Sequence, residues 1–462
     1  MARSLNTPIT DEGLTSVRFF NGRVLSAADL EAEQQAQRRR RAQLGRAQGT
    51  GISKGLHVQA APGDAPTALR VTKGLAINRA GHPVELFVNV EVSVVDAAID
   101  IAPSTSGDFM ACEALPSVTA TGTGVYLLVA CPATERREQA PRVAMGDGDK
   151  AGSCGPKFQV EGARFRLVHL DPSDDRLVPE RLREPIRALM EQSSLSPAAR
   201  SRRRNLLAHW CLGTAEARRA PADLYDRLHP GGAPEAEPPH YGPLDALRTP
   251  EQEGTLPLLT PHDVPLAIFV WEDDRVTTVD MWAVRRRMHR LSGAPEPATD
   301  RRHAEGEAVF WQFQAHVAGL AQHEPSGDLL DVRLTDYFRF LPAVGLVPLV
   351  NSEGTPGVQP ELFLADYPAR SPVVAEGPRV APLIAHAAWT PAVDLTQETA
   401  LRLYRIRENA AARSQPATVP ERPTAPPIPY LMLASGYLPR IGDARYDLAH
   451  WDFAHYPDPA DG

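Results

Sequence analysis

Gly51-Ile52-Ser53-Lys54-Gly55 carries the letters G-x-S-x-G of a nucleophile elbow, in which a sharp strand-to-helix turn lifts a serine above a parallel sheet. The elements predicted around it run helix, loop, strand. Nothing downstream alternates strand and helix as an α/β-hydrolase must, so the stretch reads as a glycine loop. The chain has no H-E-x-x-H, no G-x-x-x-x-G-K-[ST] and no G-x-G-x-x-G. His316 and His323 stand seven apart on a predicted helix, two turns instead of the single turn that lets two imidazoles share a metal. His450 and His455 flank Asp452 within an aromatic stretch, Trp451, Phe453 and Tyr456, that reads as a packed terminus. Gly146-Asp147-Gly148-Asp149 lacks the later ligands of a calcium loop and reads as a solvated turn. Cys112, Cys131, Cys154 and Cys211 form no C-x-x-C pair and read as buried thiols. Catalytic, metal and cofactor sites are therefore expected to be absent, and the chain is expected not to be an enzyme.

What remains is side chains suited to binding protein. Three arginine runs, Arg38 to Arg41, Arg202 to Arg204 and Arg285 to Arg287, fall on predicted helices and could meet acidic surfaces, although such runs more often line a solvated helix face. Trp282 adjoins the third run, and Trp with Arg is the pairing enriched at interface hot spots. Phe19, Phe20, Leu25, Leu30 and Gln34 lead into the first. These residues, with the arginines of the first and third runs, are the candidate interface.

Composition agrees. With Lys plus Arg 49 against Asp plus Glu 57, the net charge of -8 offers no positive field for nucleic acid. Hydrophobic residues make up 43% and charged residues 23% of the 462, ordinary globular values. The 44 prolines are about twice the usual fraction of roughly 5% and call for many irregular connections. Residues 1–10 lack a signal-peptide pattern, and the longest apolar run, Phe340 to Val350, is too short to span a bilayer and contains prolines. The expectation is a soluble protein of the cytoplasm.

The elements that would position the candidate residues follow from local signals. Ser26 with Asp29 forms a capping box for a helix reaching about Ala47, almost wholly polar from Glu31 to Gln43. Val84 to Val94 alternates apolar and polar as one long strand, and Leu69 to Ile77, Val125 to Ala130 and Phe158 to Leu170 add more. Leu182, Ile186, Leu189 and Met190 mark a helix that Pro185 should distort. Ser196-Pro197 opens a second, with Leu206, Leu207 and Trp210 inward and Gly213 as its stop. Prolines recur from Ala220 to Pro265. A strand pair follows at Pro265 to Val279, then a helix from Asp280 with Met281, Val284, Met288 and Leu291 on one face. Another runs over Ala304 to His323, with Val309, Phe313, Val317 and Leu320 in register. The fold class expected is α+β: a β-sandwich over 1–172 with its polar helix, a helical segment 173–219, a Pro-rich linker 220–264, a strand pair with helices over 265–329, and an irregular β/α domain over 330–462.

The stretch Val17-Arg18-Phe19-Phe20-Asn21-Gly22-Arg23-Val24-Leu25-Ser26-Ala27-Ala28-Asp29-Leu30-Glu31-Ala32-Glu33-Gln34-Gln35 resembles the opening of TssK, the type VI secretion baseplate protein. Gly74 to Val84 is similar to a hairpin that follows in that family. The same opening, Leu341 to Pro348 and Ala283 to Arg287 are similar to proteins of phage-like contractile injection systems. The resemblance covers about 80 residues well. Asn21-Gly22 stands where the family has Glu-Gly, and Ser26-Ala27 where it has Pro-Gln. It implies a β-rich, shell-like domain followed by trimerising helices, and a structural role joining baseplate subunits. Partners would then be other subunits of a contractile apparatus and further copies of this chain. The residues alone leave two other classes open, a carbohydrate- or surface-binding β-domain using exposed aromatics such as Phe87 and, behind it, a hydrolase using Ser53.

Overall fold

The computed structural model describes residues 14–95, 117–141, 154–192, 194–214, 242–248, 257–288, 297–323, 329–349, 357–367, 372–397, 400–407 and 430–438. The elements, in chain order, begin with α1 (Ala27–Gln48), β1 (Gly51–Gly55), β2 (Val58–Ala60), β3 (Ala68–Val71), β4 (Gly74–Ile77), β5 (Pro83–Leu86) and β6 (Val90–Ser93). They continue through β7 (Gly124–Pro141), β8 (Cys154–Leu170), α2 (Glu180–Met190), α3 (Pro197–Cys211), α4 (Pro243–Ala246), β9 (Val264–Glu272) and β10 (Arg275–Asp280). The last part holds α5 (Pro297–His323), α6 (Leu334–Tyr337), β11 (Phe340–Leu341), β12 (Val344–Pro348), α7 (Pro360–Phe363), β13 (Val373–Glu376), α8 (Gly377–Ala387), β14 (Val393–Asp394), β15 (Leu401–Arg407) and β16 (Tyr430–Ser435). Helices and mainly antiparallel sheets are both well represented, so the fold is α+β.

The first body is layered around a four-stranded antiparallel sheet in the order β10-β9-β7-β8. Two three-stranded sheets, β1-β4-β5 and β2-β3-β6, cover one face. Ile52, Val71 and Val84 pack there with Leu128, Phe269 and Trp271. Helices α2 and α3 cover the other, bringing Leu182, Ile186, Leu206 and Trp210 against Leu127, Val129 and Val270. The alternation of β7 sorts its side chains between these two cores.

Val84 to Val94 is not one strand. It breaks at Phe87–Asn89, and its halves join different sheets, β5 pairing with β4 and β6 with β3. The period-2 parity survives the break, which is why the sequence reads straight through it. Asn89 holds the crossing by accepting a 2.8 Å hydrogen bond from the Lys73 amide.

The strand pair at 264–280 does not begin a separate unit. Strand β9 is a central strand, bonded to β7 over Gly124–Ala130 and to β10 on its other side. A strand covered on both faces needs an unbroken apolar run, and Leu266 to Trp271 supplies it. The Pro-rich stretch before it is not a linker where it is described: Leu244, Leu247 and Leu259 are buried in the helical core layer. Asp263 is clamped by Arg166 at 2.6 Å with both side chains buried. The predicted helix from Asp280 is replaced by a turn at 281–284 and an extended segment, whose Arg287 bridges to Ile52 of β1.

The second body is a sheet of order β12-β16-β15-β13 between two helices. Phe313 and Val317 of α5 pack on Leu431 and Leu433. Val380 and Leu383 of α8 pack on Met432 and Ala434 of the same strand, facing the other way. Helix α5 thus packs on the C-terminal sheet and also reaches the strand pair, its Gln312 donating to Asp280 of β10 at 3.1 Å. Helix α3 joins the two bodies. Its Arg203 pairs with Glu272 at 2.7 Å and its Arg204 with Asp280 at 2.9 Å on one side. Arg202 donates to the Thr335 carbonyl, and Asn205 accepts from the Arg339 and Phe340 amides, on the other. The second arginine run is therefore an internal staple, neither a docking site nor a solvated face. Among the described residues, no helix is long and apolar enough to cross a membrane.

Candidate protein interface

The candidate residues separate into two groups. The first sits at the head of α1. Ser26 accepts from the Asp29 amide at 3.1 Å while Asp29 accepts from the Ser26 amide at 2.9 Å, so the capping box forms as its spacing requires. The Ser26 hydrogen bonds, then Arg23 at 2.5 Å, hold the Asp29 carboxyl below its ordinary range. Glu33 is held low by Gln37 and by the Val17 amide, which folds the preceding segment back along the helix. That segment leaves Phe19 56%, Phe20 63% and Val24 90% exposed, with Leu25 and Leu30 also open. Gln34, Arg39, Arg40 and Arg41 are exposed as well. Clustered large apolar side chains on a surface mark a contact site.

Helix α1 docks on the β4–β5 turn through Ala42 and Gly45. Ala36, Ala42 and Gly45 are its only buried positions. A Cβ on Gly45 would overlap the Gly81 carbonyl in the β4–β5 turn, and one on Gly81 would overlap the Ala42 carbonyl. The helix so approaches the turn backbone to backbone. Its residues 27–35 have no buried side chain. Arg38 is half-buried and pairs with Glu161 of β8 at 3.2 Å.

Strands β7 and β8 form a second projection that the sequence reading did not single out. The pairing continues to Pro141 and Cys154, whereas β9 leaves β7 at Ala130. The two-stranded arm past Cys131 is thus roughly 30 Å long at about 3.4 Å per residue. Phe158 and Val160 are exposed on one face of it, opposite Arg137 and Glu135. Glu161 and Gln159 lie on the other, the side that α1 meets. Alternation of Phe158 and Val160 with polar neighbours was the available signal, but it reads equally as a buried face until the pairing is known.

The second group is largely taken up inside the fold, although Arg287 keeps an exposed side chain. Trp282 is buried and stacks on Trp311 of α5 at 5.9 Å. Arg287 lies over both rings and pairs with Glu307 at 2.9 Å. Arg285 is buried and donates to the Leu56 and Gly55 carbonyls at 2.8 and 2.7 Å; burial, then Arg287, lowers its pKa to about 10. Arg286 donates to carbonyls of its own turn. Trp282 and Arg285, expected at an interface, are instead the buried part of a brace between β1 and α5, because tryptophan and arginine suit a buried brace as well as a hot spot.

Ser53 lies on β1 at an irregularity between Ile52 and Lys54, in an antiparallel pair with β4. It is exposed on a strand and not lifted on a strand-to-helix turn. Among the described residues, no group of three or more His, Cys, Asp or Glu is placed to hold a metal. Cys131 and Cys211 are buried thiols outside any disulfide, and burial raises the Cys211 pKa well above the ordinary thiol value. The Gly146–Asp149 turn, the His450/His455 pair, Cys112 and the side chain of Cys154 lie outside the described residues. Compared with known proteins, the chain matches no family model and no curated protein.

Proposed function

We propose that this chain is a structural component of a contractile injection apparatus, phage-tail-like or type VI-like, in its baseplate or an attached anchoring or fibre-like part. It works through protein contacts and needs no cofactor. The first body would be its β-sandwich, shell-like domain. Its partners would be other subunits of the apparatus and further copies of itself, a trimer by the resemblance, within a large particle assembled in the cytoplasm. The resemblance of residues 17–35 to the TssK opening supports the choice of apparatus. The observation that carries a contact role is the set of exposed apolar side chains Phe19, Phe20, Val24, Leu25 and Leu30 at a helix head with no buried side chain.

The test is affinity capture of the tagged protein from its native lysate at moderate salt, with co-purifying proteins identified by mass spectrometry. Recovery of sheath, tube or baseplate subunits in fixed ratio supports the reading. Recovery of the protein alone, from cells that hold assembled particles, overturns it.

A second reading, a carbohydrate- or surface-binding β-domain, is favoured by Phe87, which stands 66% exposed at the β5–β6 crossing where a sugar ring could stack. Binding on a glycan array, lost in Phe87→Ala, would support it.

A further inference from the structure

We infer that the exposed stripe Gln37, Arg40, Arg41 and Leu44 of α1 binds a carboxylate-rich segment of a different protein, which on the reading above is another subunit of the apparatus. The inference rests on that reading of α1 as a contact site and names the chemistry of what meets it.

Charge is the first argument. Residues 37–48 carry Arg38, Arg39, Arg40, Arg41 and Arg46 with no acid. Arg38 is engaged by Glu161 of β8 at 3.2 Å. Arg39, Arg40 and Arg41 are exposed, and none has an Asp or Glu three or four positions away, the spacing at which the helix could neutralise them itself. Glu33 senses the charge of Arg40, but its two oxygens accept from Gln37 and from the Val17 amide. The turn on which this half of the helix docks, residues 78–82, adds the exposed Arg79 and no acid. The helix dipole accounts for a base in the last turn and not for a run in the middle. What complements such a stripe is a surface of carboxylates.

Geometry is the second. Arg38, Ala42 and Gly45, spaced four and three, form the docked stripe that meets Glu161 and the Gly81 turn. Gln37, Arg40, Arg41 and Leu44 lie together about a third of a turn round the helix from it, and all four are exposed. Leu44 is 65% exposed, with Arg41 three and Arg40 four positions before it, so the surface that fits is an apolar hollow bordered by acids. Gln34 and Leu30 continue the same spacing to the helix head, where the exposed Phe19, Phe20 and Leu25 begin. Other occupants fit less well. The net charge of -8 opposes nucleic acid. Leu44 is the one large apolar side chain of residues 37–48, too little for a helix lying in a lipid interface. The same stripe of a second copy would set arginine against arginine.

The test places the photo-cross-linking residue p-benzoylphenylalanine at Leu44 of the full-length tagged chain in its native cells, and at Arg39, exposed on another side of the helix, as the control. Cross-linked peptides are identified by mass spectrometry after denaturing purification. Position 44 should capture a segment of another protein in which Asp and Glu outnumber Lys and Arg, and position 39 should not. Arg40→Glu/Arg41→Glu should lower recovery of that protein roughly tenfold or more, about the effect of losing a close charge pair, whereas Arg39→Glu should leave it near the wild-type level. Wild-type recovery should fall as salt rises. Circular dichroism of the purified variants separates a lost contact from a melted helix. A cross-link from position 44 to a second copy of this chain, to lipid, to nucleic acid or to a segment without an acidic excess, no cross-link there, or charge reversal that leaves recovery unchanged would each overturn the inference. An acidic segment of a protein outside the apparatus would support it while overturning the reading above. Baseplate subunits recovered with no cross-link at position 44 would do the reverse.

Discussion

Gly45 of α1 and Gly81 of the β4–β5 turn lie backbone against backbone, with no room for a Cβ on either. This contact fixes where a helix with almost no apolar surface leaves the body. Gly81 also has φ +87, which a side chain would strain. The turn is itself held, its Ala80 amide donating to the Pro261 carbonyl at 3.1 Å.

Gly45→Ala should undock α1 without melting it. Alanine raises intrinsic helix propensity by about 1 kcal/mol over glycine, so helix content should hold while the docking contact is lost. Limited trypsin digestion should then cut at Arg39 to Arg41 faster than in wild type, with the main unfolding transition little moved. An unchanged cleavage rate would show that the turn yields instead.

Replacing Phe19, Phe20 and Leu25 together by serine should leave stability within about 0.5 kcal/mol, because the three are exposed. Binding to captured subunits should weaken by roughly tenfold or more, about 1.4 kcal/mol, if the cluster is at the centre of a contact. Calorimetric melting and titration of the purified partner measure the two effects separately. Undiminished binding would remove the cluster from the interface.

Asp263→Ala should destabilise by about 3–5 kcal/mol, since it strands a buried guanidinium and removes the acceptor for the Thr260 amide and hydroxyl. The double variant Arg166→Met/Asp263→Leu should lose less than the single one, because no charge is then left unpaired. Urea unfolding of the three proteins checks this. A double variant at least as unstable as Asp263→Ala would contradict it.

Acid should loosen the joint between the two bodies. His209 stacks on Phe340, and burial depresses its pKa to about 3. His316, bonded to Ser201 at 2.8 Å, is also depressed by burial, with Arg204 and His209 adding to it. Both are neutral in the fold, and in the unfolded chain each takes a proton below about 6.5. Their contribution is complete above that pH and is lost as pH falls toward the folded values, at about 1.4 kcal/mol per pH unit for each histidine. Denaturant unfolding from pH 7 to 5 should show the slope, and His209→Gln/His316→Gln should flatten it. A wild-type protein equally stable across this range would refute the assignment.

The sequence by itself determined the elements whose signals are local. The capping box at Ser26 and Asp29, the Ser196-Pro197 start of α3 and the inward stripe Val309, Phe313 and Val317 of α5 depend on residues a few positions apart. For the candidate interface, Phe19, Phe20 and Leu25 were legible only as an apolar cluster beside an almost wholly polar helix, and their exposure came with the fold. Tertiary structure decided whatever depends on partners far along the chain. Val84 to Val94 keeps one alternation yet serves two sheets, since parity does not specify which strand is paired. Met281, Val284 and Met288 have helical spacing, but the Ile52 backbone claims the segment through hydrogen bonds with the Arg286 carbonyl and the Met288 amide. Arg203 and Arg285 look solvated in sequence and are buried, because Glu272 and the carbonyls of Gly55 and Leu56 reach them only after folding. A charged side chain carries no mark of its own burial. Whether water or a distant oxygen meets it is settled by the packing of the whole chain.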